Sequence, residues 1–297
     1  MFPSFLPSTV SQLTEATSIA LAQQIRQQPV FMPFSPEPIA TAYVQQGMGN
    51  LPILLLHGFD SSVLEFRRLL PLLATQHQTW AVDLLGFGFT ERSPNQPIDP
   101  VVIKTHLYYT WKTLIGQPVV LVGASMGGAV AIDFALTYPE AVQQLVLINS
   151  AGFAAAPAIG KFLIPPLGYL AAEFLRRPGV RRKVSLQAYV DASLVTADAL
   201  LCTALHLESA YWHRALIAFT KSGGYNFLAD KIARITSPTL ILWGDRDRIL
   251  GTADAEKFRV AIPHSQLIWV PDCGHVPHLE QPQFTAAQIL QVCTQVA

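Results

Sequence analysis

Short apolar segments alternate with helical patterns along most of the chain. Continuous apolar runs such as Leu54-Leu55-Leu56 are typical of strands that are buried on both faces of a sheet. Strands are predicted over residues 39–44, 53–56, 79–82, 119–122, 142–148, 239–243 and 266–270. Helices are predicted over residues 62–74, 99–115, 126–138, 253–261 and 282–296. This alternation indicates an α/β fold in which helices cover both faces of a mostly parallel sheet.

One long segment interrupts the alternation. Residues 152–225 carry helical patterns and no evident strand, and a connection of that length predicts a helical insertion. The core then consists of residues 29–151 and 226–297. Residues 1–28 form an N-terminal segment whose apolar side chains recur at helical spacing, so an amphipathic helix is predicted over residues 14–27. This helix is expected to pack on the domain, with a membrane surface as the alternative.

The composition excludes several classes of protein. Of the 297 residues, 51% are hydrophobic and 13% are charged, whereas an average domain is roughly a quarter charged. Such a chain can bury a large core, which excludes global disorder. Lysine plus arginine number 20 and aspartate plus glutamate number 20, so the net charge of zero argues against a dedicated nucleic-acid binder.

Cysteine usage and the pattern of basic residues predict a cytoplasmic protein. The three cysteines, Cys202, Cys273 and Cys293, are scattered, which argues against a disulfide framework or a zinc ribbon and favours a reducing compartment. The first basic side chain is Arg26, so the basic region of a secretory signal is missing. No run of about 18 apolar residues, the length needed to span a bilayer, is present.

The segment Gly123-Ala124-Ser125-Met126-Gly127 lies between a predicted strand and a predicted helix. In that context a serine can stand on a strained turn, with its hydroxyl exposed above the carboxyl end of a sheet. The glycines two residues before and after Ser125 allow the strand and the helix to approach closely. Ser125 is therefore the candidate nucleophile, and an ordinary tight turn is the alternative.

Three histidines compete as the base that would remove the proton of Ser125. The best candidate is His275, in a loop after the last predicted strand. His57 lies in the turn Leu56-His57-Gly58-Phe59, which is expected to supply an oxyanion donor instead. His278 is expected to face the last helix. No carboxylate or cysteine spacing completes a ligand set around these histidines, so neither a metal nor a cofactor is expected.

The histidine also needs a carboxylate that fixes its tautomer and stabilises the imidazolium. Asp247, which follows predicted strand 239–243, is the best candidate. Asp245 is its nearest rival and would cap the turn instead. Asp272 is so close in sequence to His275 that it would rarely face the ring. The predicted order along the chain is nucleophile, acid and base.

Backbone donors for an oxyanion are predicted on two turns. The N–H group of Met126 directly follows the nucleophile, and that of Phe59 lies in the loop after strand 53–56. Gly58 would let this second loop come close to a substrate. An ordinary strand-to-helix turn is the alternative for the loop, because a His-Gly pair alone is a weak signal.

Together these motifs resemble the α/β-hydrolase superfamily over residues 38–297. Four elements match in order, namely Leu56-His57-Gly58-Phe59, Asp83-Leu84-Leu85-Gly86-Phe87-Gly88, Gly123-Ala124-Ser125-Met126-Gly127-Gly128, and Trp243-Gly244-Asp245-Arg246-Asp247 with Cys273-Gly274-His275. The resemblance implies an eight-stranded sheet, a helical cap and a triad of Ser125, Asp247 and His275 in the superfamily's chain order. Its members include esterases, lipases, carbon–carbon bond hydrolases, epoxide hydrolases and dehalogenases. The last two use an aspartate nucleophile, which Ser125 argues against.

A closer resemblance is to plastid and cyanobacterial-type esterase-like hydrolases. It rests on three segments, His57-Gly58-Phe59-Asp60-Ser61-Ser62, Ser222-Gly223-Gly224-Tyr225-Asn226 and Cys273-Gly274-His275-Val276-Pro277-His278. Some relatives in that neighbourhood remove the phytyl ester from chlorophyll. Most are uncharacterised, so the resemblance does not fix the substrate.

The predicted cap combines an apolar segment with a basic one. Residues 151–175 are strongly apolar and are followed at once by Arg176, Arg177, Arg181, Arg182 and Lys183. An apolar surface beside a basic one suits docking at an anionic membrane, to which each basic residue adds about 1 kcal/mol. A peripheral membrane contact through residues 151–183 is therefore a hypothesis. The alternative is an ordinary cap with an apolar inner face and a solvated basic outer face.

The sequence thus predicts a serine hydrolase that cleaves a carboxylic ester with a hydrophobic acyl or alcohol part. A carbon–carbon bond hydrolase acting on vinylogous diketones is the main rival, because it uses the same triad. A non-catalytic ligand-binding protein on this fold is a further alternative. The substrate-binding residues are not assigned, although pocket walls are expected among the cap aromatics Phe153, Phe162, Tyr169, Trp212, Phe219 and Tyr225.

Overall fold

The computed structural model describes residues 1–33, 35, 37–153 and 167–296. It contains one eight-stranded sheet in the order β1-β2-β4-β3-β5-β6-β7-β8. The strands are β1 (Arg26–Val30), β2 (Ile39–Gln46), β3 (Ile53–Leu56), β4 (Thr79–Val82), β5 (Val119–Ala124), β6 (Val142–Ile148), β7 (Thr239–Gly244) and β8 (Gln266–Val270). β2 is antiparallel to both of its neighbours, and all other pairs are parallel. The predicted α/β fold with a mostly parallel sheet is therefore confirmed.

Helices cover both faces of the sheet. Because successive strand side chains point to opposite faces, Leu54 and Leu56 of β3 join one core layer, and Ile53 and Leu55 join the other. The first layer includes residues of α3 (Pro100–Leu114), α4 (Met126–Thr137) and α9 (Ala253–Ala261). The second includes residues of α1 (Ala16–Ala22), α2 (Leu70–Leu73) and α11 (Pro282–Val296).

The predicted helix over residues 62–74 is not continuous. It consists of a 3-10 helix, Val63–Phe66, followed by the short helix α2, which has a proline in its first turn. Pro71 has no N–H group, so it cannot donate to a carbonyl in the preceding turn, and a helix begins there more readily than it continues.

The N-terminal segment is only partly helical. Helix α1 ends at Ala22, and residues 26–30 form β1 at the edge of the sheet, so the predicted helix over 14–27 is wrong in its second half. The polar residues and Pro29 of β1 gave no strand pattern, but an edge strand tolerates proline. Leu13 and Leu21 are buried in the second core layer, so the segment packs on the domain.

Four helices lie within the described part of the predicted insertion. They are α5 (Leu167–Arg176), α6 (Pro178–Ala188), α7 (Ala197–Ala204) and α8 (Trp212–Lys221). We refer to these four helices, with the 3-10 helix Leu205–Glu208, as the cap. Residues 154–166 of the predicted insertion lie outside the described residues. No described helix of the protein is long and apolar enough to cross a membrane.

The sheet register brings the candidate residues to one edge. Leu56 at the end of β3 pairs with Gly123 near the end of β5, and Ile148 at the end of β6 pairs with Leu242 of β7. Because these strands are parallel, the loops that follow them emerge on the same side of the sheet. The short helix α10 (Pro277–Glu280) follows the loop after β8 on this side.

Candidate active site

Ser125 stands on the turn between β5 and α4 in a strained backbone conformation. Its φ and ψ angles are 52° and −119°, a combination that a residue with a side chain rarely adopts and that costs about 1–3 kcal/mol. Close packing holds this turn in place. A methyl group at Gly127 would lie 2.1 Å from the carbonyl oxygen of Leu56, and one at Gly123 would lie 2.3 Å from that of Gly127.

The three predicted triad residues come together in space. The imidazole Nε2 of His275 lies 2.9 Å from Oγ of Ser125, and its Nδ1 lies 2.9 Å from Oδ2 of Asp247. The backbone N–H of His275 donates to the carbonyl oxygen of Ala188 at the end of α6, at 2.7 Å. The loop that carries the histidine is therefore attached to the cap.

The two rival aspartates lie elsewhere. Asp245 accepts a hydrogen bond from the backbone N–H of Cys273 at 3.2 Å. Asp272 forms an exposed ion pair with Arg246. Of the three candidate aspartates, Asp247 is therefore the one that is hydrogen-bonded to His275.

Asp247 is held by more donors than the histidine alone. Its Oδ2 accepts from the side-chain amide of Asn149 at 2.8 Å, and its Oδ1 accepts from the backbone N–H groups of Ile249 and Leu250 at 2.7 and 3.1 Å. Burial raises the pKa of Asp247, but the hydrogen bonds and the neighbouring imidazole outweigh it and lower the pKa overall. An ionised Asp247 accepts a hydrogen bond from the Nδ1–H of His275, so the Nε2 atom carries no hydrogen and can accept the proton of Ser125.

The loop after β3 lies against the nucleophile. A methyl group at Gly58 would be 3.4 Å from Cβ of Ser125, so the backbone that leads to Phe59 passes directly beside the serine. Met126 is the first residue of α4, immediately after Ser125. Both predicted oxyanion donors thus belong to backbone segments that border the hydroxyl.

Glu65 anchors this loop from the core side and was missed by sequence reasoning. Its carboxylate accepts the backbone N–H of Gly58 at 2.9 Å and lies 3.0 Å from Nε2 of His278. Burial raises the pKa of Glu65, but His278 and other partners outweigh it and lower the pKa to about 2. His278 therefore contacts Glu65, not Ser125. The only sequence signal was a glutamate inside an apolar helical pattern.

His57 is a structural residue of the same loop. Its Nε2 accepts the backbone N–H of Leu84 at 3.1 Å, and its Nδ1 donates to the carbonyl oxygen of Gly58 at 2.8 Å. Complete burial lowers the pKa of His57 to about 4, so the ring stays neutral. It is therefore not available to Ser125 as a base.

An aromatic cluster lies beside the site. The rings of Phe59, Phe87 and Phe219 have centroid separations of 5.4 to 5.9 Å, and Tyr225 lies 6.1 Å from Phe219. Phe219 belongs to α8, so the cap closes one side of this apolar surface. Of the other predicted pocket walls, Phe153 packs on Phe258, Tyr169 is exposed, Trp212 is buried and Phe162 lies outside the described residues.

The basic segment of the cap divides into two groups. Arg177, Arg182 and Lys183 are exposed. Arg181 instead forms a salt bridge with Asp60 at 2.8 Å, and 14% of its side chain is exposed. The charge of Arg181 is therefore used inside the protein, and Arg181 does not belong to a solvated basic face of the cap.

The described residues contain no group of three or more histidine, cysteine, aspartate or glutamate side chains arranged to hold a metal ion. The three cysteines are buried and form no disulfide. Burial raises the pKa of each thiol, most strongly that of Cys273, so the thiols stay protonated at neutral pH.

Comparison with known proteins identifies relatives along nearly the whole chain. Alpha/beta hydrolase domain-containing protein VTE7 of Arabidopsis thaliana is 35% identical over 289 residues, which cover 95% of this chain and 87% of that protein. The 2-hydroxy-6-oxo-6-(2'-aminophenyl)hexa-2,4-dienoic acid hydrolase of Metapseudomonas resinovorans is 28% identical, over 82% of this chain and 84% of its own. Monoacylglycerol lipase ABHD6 of Homo sapiens is 27% identical, over 84% and 77%.

The family profile agrees with the site geometry. It is described as the alpha/beta hydrolase family, and it matches residues 53–288, which include the serine turn, the loop after β3 and the acid and histidine loops. The sheet order, the strained serine and the extent of this match lead to one conclusion. The chain belongs to the alpha/beta hydrolase family.

Proposed function

We propose that this protein is a serine hydrolase that cleaves a carboxylic ester with a hydrophobic acyl or alcohol part. The observation that carries the proposal is the continuous hydrogen-bonded path from Oγ of Ser125 through the ring of His275 to Asp247, with both distances at 2.9 Å. Nucleophile, base and orienting acid are the three groups that acyl transfer needs.

In the proposed first half-reaction, Oγ of Ser125 forms a bond to the ester carbonyl carbon, and Nε2 of His275 takes the hydroxyl proton. The carbonyl oxygen becomes an oxyanion that the backbone N–H groups of Phe59 and Met126 stabilise. The intermediate then collapses, the carbon–oxygen bond to the alcohol breaks, and His275 gives its proton to the leaving oxygen. An acyl group remains on Ser125.

In the second half-reaction, water replaces the alcohol. His275 removes a proton from the water as its oxygen attacks the acyl carbon, and the same two backbone donors stabilise the second oxyanion. Collapse releases the carboxylic acid and returns the proton to Ser125. Asp247 stays ionised throughout and stabilises the imidazolium that forms in each half.

The apolar character of the substrate is inferred from the surface beside Ser125. Phe59 is 44% exposed and packs on the buried rings of Phe87 and Phe219, and an apolar side chain at this position favours a long or branched hydrocarbon over a charged group. One relative is named as a monoacylglycerol lipase, and a monoacylglycerol is an ester with a hydrophobic acyl part. Both points support a hydrophobic ester.

The test is hydrolysis of a series of p-nitrophenyl esters, from acetate to palmitate, by the wild type and by Ser125→Ala. We expect the wild type to be active and the variant to lose at least about a thousandfold in kcat. Ser265→Ala is the matched control, because Ser265 lies in the loop before β8 and its hydroxyl donates to the carbonyl oxygen of Arg259 at the end of α9. Equal rates for wild type and Ser125→Ala would refute the proposal.

A carbon–carbon bond hydrolase is the second candidate, and the relative named as a dienoic acid hydrolase is the observation that favours it. The reaction uses the same triad, so the two candidates differ in the substrate. Turnover of a 2-hydroxy-6-oxo-dienoate at a higher kcat/KM than any ester of the series would decide for this candidate. Tight retention of either compound without turnover would instead indicate a binding protein.

We also propose a peripheral contact between the cap and an anionic membrane. Leu167, Leu170 and Phe174 recur at helical spacing on α5 and are 55%, 62% and 53% exposed. The guanidinium of Arg177 lies 5.9 Å from the ring centroid of Phe174, so basic charge borders this apolar face. Arg182 and Lys183 are exposed on α6, the helix that follows α5 in the cap, and supply further basic charge.

Charge reversal tests this contact. Arg182→Glu combined with Lys183→Glu should weaken sedimentation with vesicles that contain phosphatidylserine, whereas Lys112→Glu on α3, which is not part of the cap, should not. Arg181 is left intact because its reversal would break an internal salt bridge. Unchanged sedimentation of the double variant would contradict the proposal.

We propose a cytoplasmic location because the three cysteines are free thiols. Cys202, Cys273 and Cys293 are buried as free thiols. Reduced, unpaired cysteines are usual in a reducing compartment. Fractionation of the cells of origin, with detection of the untagged protein, tests this location, and recovery outside the cytoplasmic and membrane-peripheral fractions would contradict it.

A further inference from the structure

Asp60 lies next to the proposed oxyanion donor Phe59, and its carboxylate makes hydrogen bonds that involve no residue of the triad. Asp60 is 8% exposed, and its φ angle of 49° lies in the left-handed region. Aspartate is one of the few residues that tolerates this conformation. Its side chain is thus buried at the point where the loop after β3 turns towards the 3-10 helix Val63–Phe66.

The carboxylate of Asp60 accepts hydrogen bonds from side chains on three different elements of the cap. Oδ1 accepts from Nε1 of Trp212 on α8 at 2.7 Å and from Nε2 of His206 at 3.1 Å. Oδ2 accepts from the guanidinium of Arg181 on α6 at 2.8 Å. Arg181 also donates to the backbone oxygen of Asp60 at 3.3 Å and to that of Thr203 at 2.6 Å.

The charges within this cluster balance. Burial raises the pKa of Asp60, but His206, Arg181 and Trp212 outweigh it and hold the pKa well below its usual range, so the carboxylate is ionised. Burial also keeps the pKa of His206 below its usual value, so that ring is neutral. One anion and one cation therefore face each other, and the neutral donors fill the remaining positions.

The loop is consequently fixed on both sides of Phe59. On the core side, Glu65 binds the backbone N–H of Gly58 at 2.9 Å. On the cap side, Asp60 is bound by the three cap donors. The direction of the Phe59 N–H depends on the backbone angles between these two anchors, and a donor that is misplaced by about 1 Å can cost about a hundredfold in rate.

From this arrangement we infer that Asp60 is a positioning residue, which couples the placement of the cap to the oxyanion donor at Phe59. The inference rests on the proposed ester hydrolysis. A role confined to stabilising the cap would lower the thermal stability and leave the reaction of correctly folded protein unchanged. A positioning role lowers the rate of the chemical steps while substrate binding is preserved.

Asp60→Asn tests the inference, with Asp198→Asn as the matched control. Asp198 is also a buried aspartate that joins the cap to another segment, since it accepts from Ser18 and from the backbone of Thr14 and Glu15. It does not belong to the loop after β3. Both variants should melt at a lower temperature, but only Asp60→Asn should lose at least about tenfold in kcat with KM within about twofold.

The rate at which a fluorophosphonate labels Ser125 gives an independent reading, because phosphonylation also develops charge on an oxygen in the oxyanion hole. We expect labelling of Asp60→Asn to be slower than that of Asp198→Asn by a similar factor. Trp212→Phe removes one donor and keeps the charge pair, so it should show a smaller loss of about threefold or more. This variant decides the matter if Asp60→Asn fails to fold.

The outcomes separate the inference from the proposed function. If the wild type neither hydrolyses esters nor reacts with the phosphonate, the proposed function fails and the inference fails with it. If the wild type is active and Asp60→Asn matches Asp198→Asn in kcat and labelling, the inference alone is overturned. A rise in KM without a fall in kcat would also overturn it.

Discussion

At the scale of single residues, the orientation of Asp247 depends on a neighbour that carries no motif. Asn149, just after β6, donates to Asp247 at 2.8 Å and accepts the backbone N–H of Gly244 at 3.1 Å. Its own φ is 41°, a conformation that asparagine adopts more readily than most residues. One amide thus links the end of β7 to the acid. The only sequence signal was an asparagine at the carboxyl end of a buried strand.

Asn149→Ala should therefore lower activity as well as stability. Asp247 would lose one donor and could rotate, and the N–H of Gly244 would be left buried without an acceptor, which costs about 1–3 kcal/mol. We expect kcat to fall by about tenfold or more in correctly folded protein. Ester hydrolysis and thermal unfolding measure the two effects. A variant with full activity at reduced stability would show that Asn149 supports only the fold.

At the scale of elements, the nucleophile turn requires that β3, β5 and α4 approach one another closely. This is possible because Gly123 and Gly127 have no side chain. A Cβ atom at Gly127 would overlap the carbonyl oxygen of Leu56, and one at Gly123 would overlap that of Gly127. The strain at Ser125 is sustained by this contact. The turn sequence therefore matters through backbone packing as much as through the hydroxyl that it presents.

Gly127→Ala and Gly179→Ala should have opposite effects on stability. The new methyl group at residue 127 would overlap the backbone carbonyl of Leu56, which cannot move away. We therefore expect the free energy of unfolding to fall by about 2–4 kcal/mol. At Gly179, in the first turn of α6, nothing lies within 4 Å, and alanine should stabilise by about 0.5–1 kcal/mol. Urea unfolding compares the two variants. Equal stability of both would contradict this account.

At the scale of the whole molecule, the N-terminal segment, the cap and the core are joined by hydrogen bonds to Asp198 and by a partly buried ion pair between Glu15 and Arg68. Asp198 of the cap binds the start of α1, and Glu15 beside it accepts a pair of hydrogen bonds from Arg68 at 2.8 Å each. Arg68 also donates to the carbonyl oxygen of Leu279, close to the histidine loop. A segment without catalytic residues is therefore continuous with the elements that hold the site.

Acid should weaken the Glu15 contact in a predictable window. The hydrogen bonds from Arg68 lower the pKa of Glu15 from 4.5 to about 2, so the unfolded chain takes up a proton before the folded chain does. The contact therefore contributes fully above about pH 4.5, and its contribution is lost progressively as the pH falls towards 2. The stability difference between wild type and Glu15→Gln should shrink across that window.

Urea unfolding at a series of pH values measures this difference. Arg68→Gln provides the control, because without the guanidinium the same Glu15→Gln substitution should give a difference that depends much less on pH. A wild-type difference that stays constant from about pH 6 to about pH 3 would mean that Glu15 is not held by Arg68 in solution.

The sequence by itself determined strands β2 to β8, the position of Ser125 on its turn and the chain order of the proposed triad. These follow from local patterns, because buried parallel strands are continuously apolar and a nucleophile turn needs glycines at fixed spacing. Local pattern failed for β1, whose polar residues form a strand only because β2 provides a partner. It also could not show that His278 contacts Glu65, or that Arg181 is used inside the protein.

Only the tertiary structure decided which polar side chains hold the predicted triad and the loop after β3 in place. Asn149, Glu65 and Asp60 lie 98, 7 and up to 152 residues away from the groups that they bind. Such contacts leave no periodic trace in a sequence, since a buried polar group needs a partner in space and not at a fixed distance along the chain. The proposed chemistry of the site therefore follows from its motifs, whereas the contacts that hold the site in place depend on how distant core and cap segments meet in space.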